Sequence, residues 1–119
     1  MRFVLDTNAA VYLLGGRLAA PLPHGQYGIS VISEFELLVF PSLAPSEENS
    51  IRSFIASVHR LPLSDAVRDR TIEIRRATGL KLPDAIICAT AAQWDAVLLT
   101  NDLQMSRVAG LRTQSLALK

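Results

Sequence analysis

The sequence predicts an α/β fold in which helices cover both faces of a mainly parallel central sheet. Short apolar segments, such as Phe3 to Leu5, alternate along the chain with segments of helical periodicity, and this alternation is typical of parallel sheets. The length of 119 residues suits one domain, residues 1–119. Half of the residues are hydrophobic, which provides enough apolar surface to build a core.

Charge and cysteine content narrow the partners and the compartment only slightly. The net charge of +1 neither requires nor excludes a nucleic-acid partner. The single Cys88 cannot form a disulfide within the chain, and the N-terminus has no signal-peptide layout, so we expect a cytoplasmic protein. No apolar run approaches ~18 residues, and we therefore expect no contact with a membrane.

The first strand, Phe3 to Leu5, ends at an aspartate. Ligands of open α/β sheets bind at the carboxyl ends of the strands, so Asp6 stands where a functional carboxylate would be placed. Alternatively, Asp6 or Asn8 only caps the helix predicted over residues 9–14. Two glycines end that helix, and residues 15–28 are predicted to form a loop because they are rich in glycine and proline.

The second strand is predicted over residues 27–32 and is followed by a helix from Ser33 to about Val39. Ser33 and Glu36 have the spacing of a capping box, which would place Glu36 in the first helical turn. Glu34 lies in the same turn, where a carboxylate suits the helix dipole. A capping role is therefore the structural alternative to a functional role for Glu36.

The middle of the chain reads as two amphipathic helices. The first covers residues 45–58, where apolar residues recur at intervals of three and four. A polar helix follows from its cap at Ser64 to about Thr78, and Gly79 ends it.

The last third of the chain begins with a helix over residues 82–94 that is apolar on nearly all sides, and we therefore expect it to be buried. A buried strand over residues 96–99 ends in Thr100, Asn101 and Asp102. A short helix over 103–107 and a last strand near 111–115 complete the fold.

Carboxylates from separate parts of the chain should meet at one edge of the sheet. Strands that run in parallel end at the same edge, and the helices that follow them begin there. The residues that can converge are Asp6, Glu36, Asp84 and Asp102. Such a group stays ionised only if a cation neutralises it, and oxygen ligands of this kind suit Mg²⁺ or Mn²⁺. Metal ions held in this way commonly promote cleavage of phosphodiester bonds.

Other sites are less compatible with the sequence. Cys88 lies inside an apolar helix, and His24 and His59 share no ligand spacing, which disfavours zinc. No G-x-S-x-G elbow is present, which disfavours a serine hydrolase. A phosphatase of the haloacid-dehalogenase type needs an aspartate two residues after the first, where this chain has Asn8.

Four segments together resemble the PIN-domain family, specifically the VapC-type toxins of bacterial and archaeal toxin–antitoxin pairs. They appear in the family's order and span nearly the whole chain: Leu5 to Asn8, Ile29 to Leu38, Leu82 to Ala91 and Leu98 to Asp102. The resemblance implies a three-layer α/β/α fold and a Mg²⁺-dependent (or Mn²⁺-dependent) endoribonuclease. The alternative is a PIN-like RNA- or protein-binding module without catalysis.

The resemblance also assigns roles to individual residues. It implies that the catalytic and metal-binding acids are Asp6, Glu36, Asp84 and Asp102. Glu34 competes with Glu36 for the second position, and Glu36 is preferred because it directly precedes two leucines. Polar side chains beside these acids would support them: Thr7, Asn8, Thr100 and Asn101.

The partners implied by the resemblance are an RNA substrate, a cognate antitoxin and a second copy of the chain. The predicted first helix is apolar at every position from Ala9 to Leu14, and such a helix must be covered on both sides. Because we expect a single core, a protein partner would supply the second cover. The candidate residues for this apolar groove are Val11, Tyr12, Leu14, Leu38, Phe40 and Phe54.

Overall fold

The computed structural model describes residues 1–119 and contains one sheet of five strands, all of them parallel. The strands lie in the order β3-β2-β1-β4-β5. Their bounds are β1 Arg2–Leu5, β2 Gln26–Ser30, β3 His59–Leu61, β4 Val97–Leu99 and β5 Thr113–Gln114. The first strand therefore lies at the centre, and its carboxyl end is flanked by those of β2 and β4. The predicted fold class is confirmed.

Five α-helices connect the strands. They are α1 Thr7–Leu14, α2 Val31–Leu38, α3 Pro45–Ser57, α4 Asp65–Thr78 and α5 Leu82–Gln93. The caps predicted for α4 are confirmed, because the Ser64 hydroxyl accepts a hydrogen bond from the Val67 amide and Gly79 adopts φ +70°. The short helix predicted over 103–107 is a 3₁₀ turn, Met105–Arg107. No helix is both long and apolar enough to cross a membrane.

The start of α2 differs from the prediction. Its N-cap is Ser30, whose hydroxyl accepts from the Ile32 amide at 3.1 Å, so the capping box predicted for Ser33 and Glu36 is wrong. The β-branched residues Val31 and Ile32 suggested a longer strand, but a well-placed cap outweighs their propensity. Glu36 consequently lies in the second turn of the helix and makes no cap.

The protein has two hydrophobic cores, one on each face of the sheet, and the expectation of a single core is wrong. Side chains alternate along β1, so Val4 packs with α4 and α5, whereas Phe3 and Leu5 pack with α1, α2 and α3. The predicted burial of α5 is confirmed, because its residues from Ala85 to Ala91 are all buried. These contacts produce the predicted three layers.

Candidate active site

A cleft of about 330 Å³ opens at the carboxyl edge of the sheet. It lies where β1 and β4 end and where α1 and α5 begin. Four carboxylates from four separate segments line it: Asp6, Glu36, Asp84 and Asp102. The convergence expected from strand order is therefore present, and each acid reaches the cleft from a different element.

Asp6 combines a structural role with its position in the cleft. Its Oδ1 accepts a hydrogen bond from the Ala9 amide at 2.7 Å and caps α1, while its Oδ2 accepts one from the Thr100 hydroxyl. Only 5% of the residue is exposed. Both interpretations offered by the sequence therefore describe Asp6, because one carboxylate caps the helix and borders the cleft.

The two glutamates of α2 point in different directions because residues two apart lie about 200° apart around a helix. Glu36 borders the cleft and accepts a hydrogen bond from the Thr7 hydroxyl at 2.5 Å. Glu34 is buried and accepts from Arg60 of β3, with Nη2 at 2.8 Å and Nε at 2.9 Å. Glu34 therefore already has a cationic partner, whereas Glu36 has none.

The other two acids are held by the local backbone. Asp84 lies in the first turn of α5, whose burial fixes its position. Asp102 Oδ1 accepts hydrogen bonds from the amides of Gln104 and Met105, at 2.8 and 3.2 Å, and begins the 3₁₀ turn. The Thr100 hydroxyl accepts from the Asp102 amide at 3.0 Å and donates to Asp6, which links the first acid to the last.

The electrostatics of the cleft favour uptake of positive charge. Burial raises the pKa of Asp6, with Asp102 and Glu36 adding to the effect against two opposing hydrogen bonds. Partial burial also raises the pKa of Asp84, and the negative charges of Asp102, Glu36 and Asp6 raise it further. No lysine, arginine or histidine lines the cleft. Lys81 lies outside the cleft lining, and its charge only partly offsets the raised pKa of Asp84. The remaining neutralising charge must therefore come from protons or from a bound cation.

The donor set suits a hard, partly hydrated metal ion. All four acidic side chains offer oxygen, the donor preferred by Mg²⁺ and Mn²⁺. No three acidic, histidine or cysteine side chains come together closely enough to form a closed cage around one ion. Mg²⁺ does not need such a cage, because it keeps several waters and binds through one or two carboxylates plus substrate phosphate. Burial raises the pKa of Cys88 to about 12, so no thiolate is available for zinc.

The predicted supporting residues do not act alike. Thr7 and Thr100 each donate to a cleft carboxylate, and Asn8 lines the cleft. Asn101 instead clamps the C-terminal segment: its side chain donates to the Leu116 carbonyl at 3.0 Å and accepts from the Leu116 amide at 2.6 Å. Although Asn101 precedes Asp102 in the sequence, its side chain therefore holds the C-terminal segment and does not bond to an acid of the cleft.

Apolar residues that the sequence did not single out complete the cleft. Ile87 lies one helical turn after Asp84, Met105 follows Asp102, and Val39 is the C-cap of α2. The first two are buried, whereas Val39 is 73% exposed. The spacing of Ile87 from Asp84 was the available signal, but in a helix that is apolar on all sides it could not be distinguished from core packing.

An apolar groove of about 440 Å³ adjoins the cleft. Three of the predicted groove residues line it: Val11, Leu14 and Phe40. Val11 and Phe40 also line the acidic cleft, so the two depressions share a wall. The remaining candidates lie elsewhere. Leu38 and Phe54 pack against the core beneath α1, α2 and α3, and the half-buried Tyr12 does not line the groove.

Comparison with known proteins gives one family. The sequence model of the PIN-domain family matches residues 3–111. This range is most of the chain and includes every acid of the cleft. No curated protein matches the sequence significantly. The resemblance drawn from the four sequence segments is confirmed at the level of the family.

Several solved structures with the same fold are chains of toxin–antitoxin complexes. A chain of a toxin–antitoxin complex from Klebsiella pneumoniae is 31% identical, with a TM-score of 0.71 over 90% of this chain and 90% of that chain. A chain of DNA-bound VapBC from Salmonella typhimurium is 22% identical, with a TM-score of 0.79 over 97% and 98%. A chain of DNA-bound VapBC2 from Rickettsia felis is 17% identical, with a TM-score of 0.78 over 98% and 99%.

Proposed function

Because this chain belongs to the PIN-domain family, we propose that it is the toxin of a toxin–antitoxin pair and acts as a divalent-metal-dependent endoribonuclease. One observation carries the proposal: four carboxylates border a single cleft that contains no basic side chain. Such a cleft would repel a phosphodiester, so a nucleic-acid substrate needs a cation between itself and the protein. The similarity to chains of toxin–antitoxin complexes supports the toxin role.

Hydrogen bonds within the protein would orient the acids as metal ligands. Asp6 is oriented by the Ala9 amide and Thr100, and Glu36 is oriented by Thr7. Asp84 and Asp102, which line the same cleft, would complete the ligand set. When bound, Mg²⁺ or Mn²⁺ supplies polarisation of the phosphoryl oxygen and an activated water. The buried side chains of Ile87 and Met105 make part of the cleft lining apolar.

The apolar groove would receive the antitoxin. It adjoins the cleft through Val11 and Phe40, so a segment lying in the groove can extend an arginine or lysine to the unpaired carboxylates. That mode combines helix-in-groove docking with charge pairing. We also propose that the toxin is a cytoplasmic homodimer.

A second candidate is a PIN-like module that binds RNA or protein without catalysis. One observation favours it: no three of the acids are assembled as a closed metal cage. Under this alternative the cleft carboxylates would still bind a cation, but no phosphodiester would be cut. The two candidates therefore differ in product formation.

The deciding experiment is an RNA cleavage assay with the purified chain freed of any antitoxin. We expect cleavage with Mg²⁺ or Mn²⁺, none with excess EDTA, and none with Asp84→Asn purified in the same way. Cleavage that persists in EDTA would contradict metal dependence, and equal cleavage by Asp84→Asn would assign the activity to a contaminant. Binding of RNA without any cleavage would favour the second candidate. Mapping of cut sites in cellular RNA after induction would then define the substrate.

A further inference from the structure

Ser33 is a fully buried hydroxyl on α2 with no capping role. Its exposure is 0%, and the N-cap of the helix is Ser30. The Ser33 Oγ lies 3.0 Å from the Thr7 Oγ1, across the contact between α1 and α2. Thr7 in turn hydrogen bonds to Glu36, so the three side chains form a continuous chain from the interior to the cleft.

The number of hydroxyl protons determines which side chain donates in each of these two hydrogen bonds. The Glu36 carboxylate can only accept, so the single proton of the Thr7 hydroxyl is donated to Glu36. Thr7 therefore has no proton left for Ser33, and Ser33 must be the donor in the 3.0 Å contact. The order of donation is Ser33 to Thr7 to Glu36, and hydrogen bonds in such a chain strengthen one another.

The hydrogen bonds from Ser33 to Thr7 and from Thr7 to Glu36 oppose electrostatic repulsion within the cleft. Glu36 faces the negative charges of Asp6 and Asp84, whose pKa values its own charge raises. Repulsion would turn the Glu36 side chain outward, away from the position where it borders the cleft. The Thr7 hydroxyl holds Glu36 in place only while its proton points to Glu36. The Ser33 hydroxyl donates to the Thr7 oxygen, and this hydrogen bond keeps the Thr7 proton directed to Glu36.

We propose that Ser33 is a positioning residue that acts through Thr7 to hold Glu36 toward the metal-binding cleft. The inference rests on the proposed function for its consequence, since the positioned carboxylate would bind a cation. Partners of metal ligands of this kind typically change metal affinity or activity by 10- to 100-fold when they are lost. A hydroxyl that only satisfied the core would change stability and leave metal affinity unchanged.

The test measures Mn²⁺ affinity by titration calorimetry and the Glu36 position by crystallography. Ser33→Ala removes the donor, and Ser33→Cys keeps the side-chain shape at a slightly larger volume but donates weakly. Both should bind Mn²⁺ about tenfold more weakly, whereas Ser33→Thr should retain wild-type affinity. The matched control is Thr71→Val on α4, which removes another buried hydroxyl, bonded to the Val67 carbonyl at 2.7 Å. It should leave Mn²⁺ affinity unchanged.

The background variant Glu36→Gln separates the possible outcomes. If Ser33 acts through Glu36, adding Ser33→Ala to Glu36→Gln should weaken Mn²⁺ binding no further. Wild-type affinity in both Ser33→Ala and Ser33→Cys, or a full additional loss in the double variant, would overturn the inference. A wild-type protein that neither binds Mn²⁺ nor cuts RNA would overturn the proposed function. The crystal structure of Ser33→Ala would then decide the positioning claim alone, because an unmoved Glu36 carboxylate would contradict it.

Discussion

The carboxylates of the cleft and those of the remaining surface differ in their neighbours. Outside the cleft, five of the seven acidic side chains pair with arginines: Glu48 with Arg52, Glu34 with Arg60, Asp65 and Asp69 with Arg68, and Asp95 with Arg112. In the cleft none of the four acids takes part in a salt bridge, and the hydrogen-bond donors to Asp6, Glu36 and Asp102 are hydroxyls and backbone amides. The chain has enough arginines for pairing, but none lies there.

Most of the acids outside the cleft thus carry charges that arginines compensate, whereas no positive side chain in the cleft compensates the four acids there. A paired surface carboxylate contributes only about 0–1 kcal/mol and its charge is already compensated. A cleft carboxylate repels its neighbours and raises their pKa values, as Glu36 does for both Asp6 and Asp84. Compensation by a bound cation would convert this repulsion into binding energy.

The largest expected effect separates Asp84 from Asp95. Asp84→Asn should lower ribonuclease activity by more than about a hundredfold, since even supporting residues of metal sites cost 10- to 100-fold. Asp95→Asn removes an exposed carboxylate whose partner is Arg112, and asparagine suits its backbone φ of 53°. It should retain wild-type activity in the same assay. Comparable losses in both variants would mean that fold damage, not the cleft, determines activity.

The two glutamates of α2 give the next comparison. Glu36→Gln should lower activity by about a hundredfold with little change in stability, because Glu36 borders the cleft. Glu34→Gln should lower the free energy of unfolding by about 1 kcal/mol, since the Arg60 side of the pair is solvent-exposed, and should leave activity near wild type. Activity assays and urea unfolding check both. A greater loss of activity at Glu34 would contradict the assignment of Glu36.

The groove gives a smaller, partner-specific effect. Leu14→Glu places a charge among apolar lining residues and should weaken antitoxin binding by at least about tenfold, or 1.4 kcal/mol. Ribonuclease activity should be unchanged, because Leu14 does not border the cleft. Ile72→Glu on α4 is the control, since Ile72 is exposed to a similar extent, 41% against 38%, but lies outside the groove. Equal affinity of the two variants for antitoxin would exclude the groove as the docking surface.

The smallest expected effect is a pH-dependent gain in stability. The pKa of Asp84 is raised in the folded state, so the folded protein binds this proton more tightly than the unfolded chain does. Protonation of Asp84 therefore stabilises the folded protein fully below pH 3.8, the ordinary pKa of an aspartate. This stabilisation is lost as pH rises through the pKa of Asp84 in the folded state. In EDTA, Asp84→Asn should melt above wild type at neutral pH, and the difference should disappear near pH 3.5. A gain that persists at acidic pH would have another cause.

Much of the fold could be predicted because local signals and burial agree. The cap at Ser64 and the left-handed Gly79 define α4, and the apolar character of residues 85–91 indicated a buried α5. Parallel strand order then predicted that Asp6 and Asp102 would meet at one edge. The convergence of four acids depended on topology, which the alternation of strands and helices indicates directly.

The sequence was less informative where one residue type serves two purposes. Ser30 and Ser33 are both acceptable caps, and only the tertiary context selects Ser30 and leaves Ser33 for the interior. The division of the apolar residues between two faces was missed because composition reports the amount of core and not its arrangement. Asn101 could not be separated from the acids beside it, since its hydrogen bonds go to Leu116, 15 residues later.

The binding of Mn²⁺ to the metal-free protein tests the central claim most directly, because it requires neither a substrate nor an antitoxin. Titration calorimetry should detect saturable binding to wild type, at least tenfold weaker binding to Asp84→Asn, and unchanged binding to Asp95→Asn. This result would assign the cation to the unpaired carboxylates of the cleft. Equal Mn²⁺ affinity in wild type and Asp84→Asn, or no binding to wild type, would contradict the account.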